Sequence, residues 1–227
     1  MAHGRSAQTI GRLRSAVARA GHELAASGLV VGLAGNVSAR AGDLVAVTPT
    51  GGRLATLDAG EIAIVDLEGA LVDAPLAPTS ELLLHLAVYR HFEAGAVVHT
   101  HPPMATAVAC VADELPCIHY SLLALGGSVR VGRYATFGTD ELAASIVEAL
   151  AGRTAALMAS HGAVTYGADL PAAIDASELL EWACSVYLHA RACGTPRALA
   201  EDERRAVVAA LQARDYGRTR APADGAG

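Results

Sequence analysis

His99-Thr100-His101 carries the clearest chemistry in this chain of 227 residues. On an extended run, side chains two apart leave the same face with stems roughly 6–7 Å apart, so both imidazoles can converge on one ion. The apolar run Ala96-Val97-Val98 leads into the pair, and Pro102-Pro103 stiffens the chain behind it. A catalytic zinc takes three protein ligands and keeps one position open. His161, in Met158-Ala159-Ser160-His161-Gly162 directly after another apolar run, is the third candidate by position, with Gly162 there to let the backbone turn tightly. His85, His91 and His189 fall on helical faces and read as surface or packing residues. An all-imidazole set suits Zn²⁺ or another borderline transition metal rather than Mg²⁺ or Ca²⁺.

Three weaker signals surround it. Pro78-Thr79-Ser80-Glu81 sets two hydroxyls and a carboxylate at the start of a helix, where the acid favours the helix dipole and free amides suit an anion. Asn36, in Gly35-Asn36-Val37-Ser38, is the only asparagine in the chain; it either takes a left-handed turn or offers its amide to a phosphate oxygen. Thr48-Pro49-Thr50-Gly51 is turn chemistry that also presents a hydroxyl and a backbone amide. Composition narrows the reactions. All 17 basic residues are Arg, so lysine Schiff bases, pyridoxal-phosphate chemistry and Walker-type phosphate loops are excluded. The net charge of −6 argues against a nucleic-acid partner. Cys110, Cys117, Cys184 and Cys193 have no zinc-ribbon spacing and read as free thiols of a reducing, cytoplasmic setting. No run is long and apolar enough for a membrane span, and no signal peptide is visible.

The elements that must position these residues follow from periodicity. Ile10, Leu13, Val17, Ala20 and Leu24 predict a helix over 9–26 that stops at Gly28. Strands are predicted at 44–48, 96–101, 129–131 and 155–159, with a hairpin of 62–67 and 71–72 across Glu68-Gly69. Further helices are predicted from a Thr79 or Ser80 cap to about His91, from Pro102-Pro103 onward, over 140–150, from Leu170 to about Ala192 and over 201–213. Together they predict one α/β domain over 1–227 with a largely antiparallel central sheet and a loose, mobile tail from about 215.

Gly35-Asn36-Val37-Ser38, Thr48-Pro49-Thr50-Gly51, Thr79-Ser80-Glu81, His99-Thr100-His101 and Ser160-His161-Gly162 occur in the order and spacing of the class II aldolase/adducin-head family, which the chain resembles over nearly its whole length. Ile118-His119-Tyr120, Gly126-Gly127 and Tyr134 to Thr139 extend the likeness to its sugar-phosphate aldolases. The resemblance implies a three-layer α/β/α sandwich around a mostly antiparallel sheet, assembled as a homotetramer with active sites at subunit interfaces. It implies that His99, His101 and His161 hold one Zn²⁺ per subunit and that Glu81 is the acid/base. It also implies that Asn36, Thr50, Gly51, Thr79 and Ser80 line a phosphate site, and that Tyr120 and the tail residue Tyr216 are catalytic tyrosines. The implied reaction cleaves a ketose 1-phosphate of the L-fuculose 1-phosphate type to dihydroxyacetone phosphate and a small aldehyde of the L-lactaldehyde type. Other activities of the family, namely sugar-phosphate epimerase, methylthioribulose-phosphate dehydratase and decarboxylase, share the metal site. A non-catalytic adducin-head-like assembly module would be expected to lack the histidines. Thr79 stands where the aldolases often have Ser, and Met104 where some members carry another His.

Overall fold

A computed structural model describes residues 2–214. The chain opens on α1 (Ala2–Ala26), whose buried stripe includes Val17, Ala20 and Leu24. Gly28, at φ +73°, ends it. Leu29 donates its N–H to the Leu24 carbonyl and Gly28 donates to Ala25, which is the Schellman pattern, with Leu29 packed in the same core cluster as Leu24. β1 (Asn36–Ala41), β2 (Leu44–Val47), β3 (Ala63–Asp66) and β4 (Leu71–Asp73) then form an antiparallel meander. α2 (Leu82–His91) leads into β5 (Ala96–Thr100), and α3 (Pro103–Ala109) begins at the proline pair. β6 (Glu114–Leu115), a 3-10 helix over Tyr120–Leu125 and β7 (Val129–Gly132) follow. α4 (Asp140–Leu150), β8 (Ala155–Met158), β9 (Gly162–Gly167), α5 (Leu170–Cys193) and α6 (Glu201–Arg214) complete the described chain.

The nine strands form one sheet in the order β4-β3-β2-β1-β5-β9-β8-β7-β6. Every pairing is antiparallel except β7 with β8. Period-2 alternation sorts the central residues onto two faces. Val37, Ala46, Ile64 and Val98 pack under α1 and the start of α5, whereas Val45, Val65, Val97 and Val164 pack under α2 and α4. The predicted mixed α/β class, with helices on both faces of a mostly antiparallel sheet, is therefore what the structure shows.

β9 was not among the predicted strands, yet it lies between β5 and β8 near the middle of the sheet. It is short and glycine-bounded, with Val164 and Thr165 as its β-branched signal. All four cysteines are free; Cys117 and Cys184 are buried and Cys110 and Cys193 exposed. Among the described residues no helix is long and apolar enough to cross a membrane.

Candidate metal centre and active site

The site forms where β1, β5 and β9 lie side by side. Asn36 is the cross-strand partner of His99, and His99 is in turn the partner of Val164. His99 follows Val97 by two residues, so it emerges on the α2 face of the sheet. His101 stands just past the end of β5. His161 is the last residue of the three-residue turn joining β8 to β9, and Ser160 in that turn adopts φ +52°. Thus the left-handed residue of the turn is Ser160, not Gly162. Gly162 serves a different need, because a Cβ there would overlap the Thr100 carbonyl oxygen and lie 3.1 Å from His101 Cδ2.

The three imidazoles pack edge to face, with ring centroids 4.7–4.9 Å apart. One nitrogen from each lies within 4.8 Å of the others, a group that could hold a metal ion. His99 Nδ1 is 2.9 Å from the Ala163 carbonyl oxygen and donates to it, which turns Nε2 toward the other groups. That Nε2 faces His101 Nε2 at 2.9 Å and Glu81 Oε2 at 3.1 Å. Glu81 Oε1 lies 3.5 Å from His161 Nε2 and accepts no hydrogen bond. These ring nitrogens and carboxylate oxygens converge on one point, where a cation could be held among them. Burial, and then the neighbouring imidazoles, push His101 down to about 4, and burial likewise lowers His161. Both are neutral near pH 7, the form that binds metal. The donor set fits the implied ion.

Glu81 is the residue immediately before α2 and occupies its N-cap position, although its side chain makes no capping bond. The predicted Thr79 or Ser80 cap is thus displaced by one or two residues: Thr79 Oγ1 accepts from the Glu81 N–H instead, and the carboxylate is free to turn into the site. Burial pushes the Glu81 carboxyl up, but hydrogen bonding and charge from His99, with the hydrogen bond from the Asn36 amide, outweigh it and bring it to about 2. Asn36 Nδ2 donates to Glu81 Oε2 at 2.9 Å, and Asn36 Oδ1 lies 2.5 Å from His85 Nε2. His85 Nδ1 is 2.7 Å from Ser38 Oγ, itself 2.7 Å from the Tyr89 hydroxyl. His85 is wholly buried, not the surface or simple packing residue its helical position suggested. Its signal was present as Glu81, His85 and Tyr89, polar groups four apart in a stretch otherwise filled with Leu, Ala and Val up to Tyr89.

The hydroxyl-bearing turns come together beside this cluster. Thr50 N–H donates to Ala77, Thr79 N–H donates to Thr48, and Pro49 and Pro78 form an antiparallel bridge. Thr50, Gly51 and Ser80 are exposed on the joined turns, while Thr79 is buried. Tyr120 opens the 3-10 helix, 40 % exposed, and its ring packs on His119, which meets Trp182 edge-on. Within the chain it packs there and not on the histidine triad. Tyr216 lies outside the described residues.

Fold, a histidine triad that could hold a metal ion and a buried acid fit a metal-dependent lyase, and comparison with known proteins agrees. Residues 15–188 match the family model of the class II aldolase and adducin N-terminal domain, and the chain belongs to that family. It is 37% identical over 198 residues to a 5-methylthioribulose-1-phosphate/5-deoxyribulose-1-phosphate aldolase of Rhodospirillum rubrum, covering 86% of this chain and 89% of that protein. It is 38% identical over 188 residues to an L-fuculose phosphate aldolase of Escherichia coli, covering 82% and 87%. A solved L-fuculose 1-phosphate aldolase superposes with a TM-score of 0.85 at 31% identity, covering 88% of this chain and 96% of that one. The chain is an enzyme of the class II aldolase kind, a lyase.

Proposed function

We propose that the protein is a zinc-dependent aldolase that cleaves a ketose 1-phosphate between the third and fourth carbons, giving dihydroxyacetone phosphate and a small aldehyde. The observation that carries this reading is the convergence of three imidazoles and one buried carboxylate on a single centre beside two hydroxyl-lined turns. L-Fuculose 1-phosphate, which yields L-lactaldehyde, is the lead substrate, supported by relatives of that name. A 5-deoxyribulose 1-phosphate or its methylthio analogue, yielding acetaldehyde or its methylthio derivative, is the second reading, supported by the Rhodospirillum relative. All three have the same phosphorylated three-carbon half and differ only in the aldehyde released.

His99, His101 and His161 hold the ion, and His99 is oriented for it by the Ala163 carbonyl. When bound, the zinc supplies an electron sink for the ketone and adjacent hydroxyl oxygens, the role no lysine can take here. Thr50, Gly51, Thr79, Ser80 and the Asn36 amide grip the phosphate, and remote binding energy thereby orients the reacting carbons. Glu81 moves the proton at the enediolate carbon through Oε1, the oxygen that no hydrogen bond occupies. Tyr120 exchanges a proton with the aldehyde oxygen, acting with Tyr216 at sites shared between subunits of a homotetramer; exposure of the Tyr120 ring in the single chain supports this placement. The enzyme works in the cytoplasm on a small phosphorylated sugar, without nucleic-acid or membrane partners.

The test is a retro-aldol assay over the three ketose phosphates, with zinc and with chelator, scoring dihydroxyacetone phosphate and each aldehyde. Zinc-dependent release of dihydroxyacetone phosphate is expected. An epimerised or dehydrated product instead would overturn the reading, as would full zinc content in His101→Ala.

A further inference from the structure

Five buried polar groups interlock between α2 and β1. Glu81, His85 and Tyr89 recur every four residues along one stripe of the helix, and Asn36 and Ser38 lie two apart on one face of the strand. Four residues of helix rise about 6 Å and two of strand about 6–7 Å, so the two rows mesh in the order 81, 36, 85, 38, 89. The contacts are 2.9, 2.5, 2.7 and 2.7 Å, and every member is at most 6% exposed.

The chemistry of the groups leaves one arrangement of protons. An ionised carboxylate only accepts, so Asn36 must present its NH₂ to Glu81 and its carbonyl to His85. His85 must then donate from Nε2, which leaves Nδ1 bare to accept from the Ser38 hydroxyl. Ser38 has spent its only proton and accepts from Tyr89. The amide in the middle cannot pass a proton along without becoming an imidic acid, so the chain orients and does not conduct. It ends on Oε2 alone, while Oε1 has no hydrogen-bond partner.

We propose that His85 is a positioning residue which, through Asn36, locks the Glu81 side chain by Oε2 and reserves Oε1 for proton transfer. The inference rests on the proposed acid/base role of Glu81. It gives Asn36 a task at Glu81 that uses one amide hydrogen and leaves the other for a substrate oxygen.

The experiment compares His85→Leu, which fills much of the space without either bond, with His85→Gln, whose amide can donate to Asn36 and accept from Ser38. With zinc-loaded enzyme, the leucine variant should keep its zinc and a KM within about threefold of wild type while kcat falls about 10–100-fold. The glutamine variant should regain most of that loss. Wild-type kcat in the leucine variant, or equal impairment of both variants with zinc intact, would overturn the proposal. Long-range ¹H–¹⁵N NMR of the zinc-loaded wild-type protein reads the same arrangement without turnover and without any variant having to fold. His85 should be neutral with its proton on Nε2, and a proton on Nδ1 would overturn the proposal. Absence of retro-aldol activity in the wild type would count against the aldolase reading alone, because the NMR result does not depend on it.

Discussion

Adding one methyl group at residue 162 should disable the metal centre from a position that holds no ligand atom. Gly162 opens β9 opposite the end of β5, and its missing Cβ is what lets the two backbones meet. In Gly162→Ala the new carbon would overlap the Thr100 carbonyl oxygen and press on His101 Cδ2 at 3.1 Å. The first neighbour is backbone, so no rotamer change relieves it. The strands must part by about 1 Å before the carbon reaches ordinary contact distance. Overpacking of this kind costs about 1–3 kcal/mol, and with a typical urea slope the unfolding midpoint should drop by roughly 0.5–1 M. The larger effect is geometric. Thr100 sits between His99 and His101, while Gly162 follows His161, so the parting pulls the three histidines away from one another. Metal sites tolerate distance errors of only about 0.2 Å, and a misplacement of about 1 Å costs roughly 10²-fold in turnover. Competition with a fluorescent chelator gives zinc affinity, and the steady-state assay gives kcat; both should fall together. A variant with the expected lower midpoint but wild-type zinc affinity and kcat would refute the coupling between this contact and the ligand geometry.

Three further outcomes are expected. Glu81→Gln keeps shape but loses the titrating oxygen, so turnover should fall roughly 10²–10⁴-fold with zinc largely retained in elemental analysis. Ser160→Gly relieves a left-handed residue and should raise the urea midpoint by the equivalent of about 1 kcal/mol with turnover intact, as read by denaturation and steady-state kinetics. Burial holds His85 down to about 3 in the fold, against an ordinary value of 6.5. The unfolded chain therefore takes up a proton below about pH 6.5 that the folded chain refuses until about pH 3, and stability should fall with pH across that window at about 1.4 kcal/mol per unit from this group. Unfolding midpoints across the window should show a shallower acid slope in His85→Gln than in the wild type.

The grouping of the three histidines was legible because each follows a recognisable apolar run. His99 and His101 obey the period of a strand, and His161 sits at a strand end where only the turn beyond it was misread. The misreading came from assigning the left-handed backbone to the nearest glycine, when Ser160 bears it and Gly162 answers to a contact 62 residues away in sequence, at Thr100. Contacts of that range leave no local periodic trace. The same holds for Glu81: helix-start rules explain a carboxylate there by the dipole, and only the approach of β1 and β5 turns it into the partner of His99 and Asn36. β9 escaped notice because glycines bound it and its four middle residues are too few for periodicity to decide. Its pairing with both β5 and β8, however, is what brings His161 to the other two histidines.

The sheet stops where it does because its outermost strands are stubs. An open nine-stranded sheet has two rims of unpaired backbone, and each rim could in principle template another copy. Here the rims are β4, three residues long and bulged against β3, and β6, only two residues long. Arg14 clamps Asp73 at the end of β4 by its carbonyl and its carboxylate. A strand arriving at either rim finds room for one or two ladder bonds, too few to offset the entropy of ordering it. The chain can therefore leave Leu71 and Val72 exposed on β4 without turning that rim into a seed for fibrils.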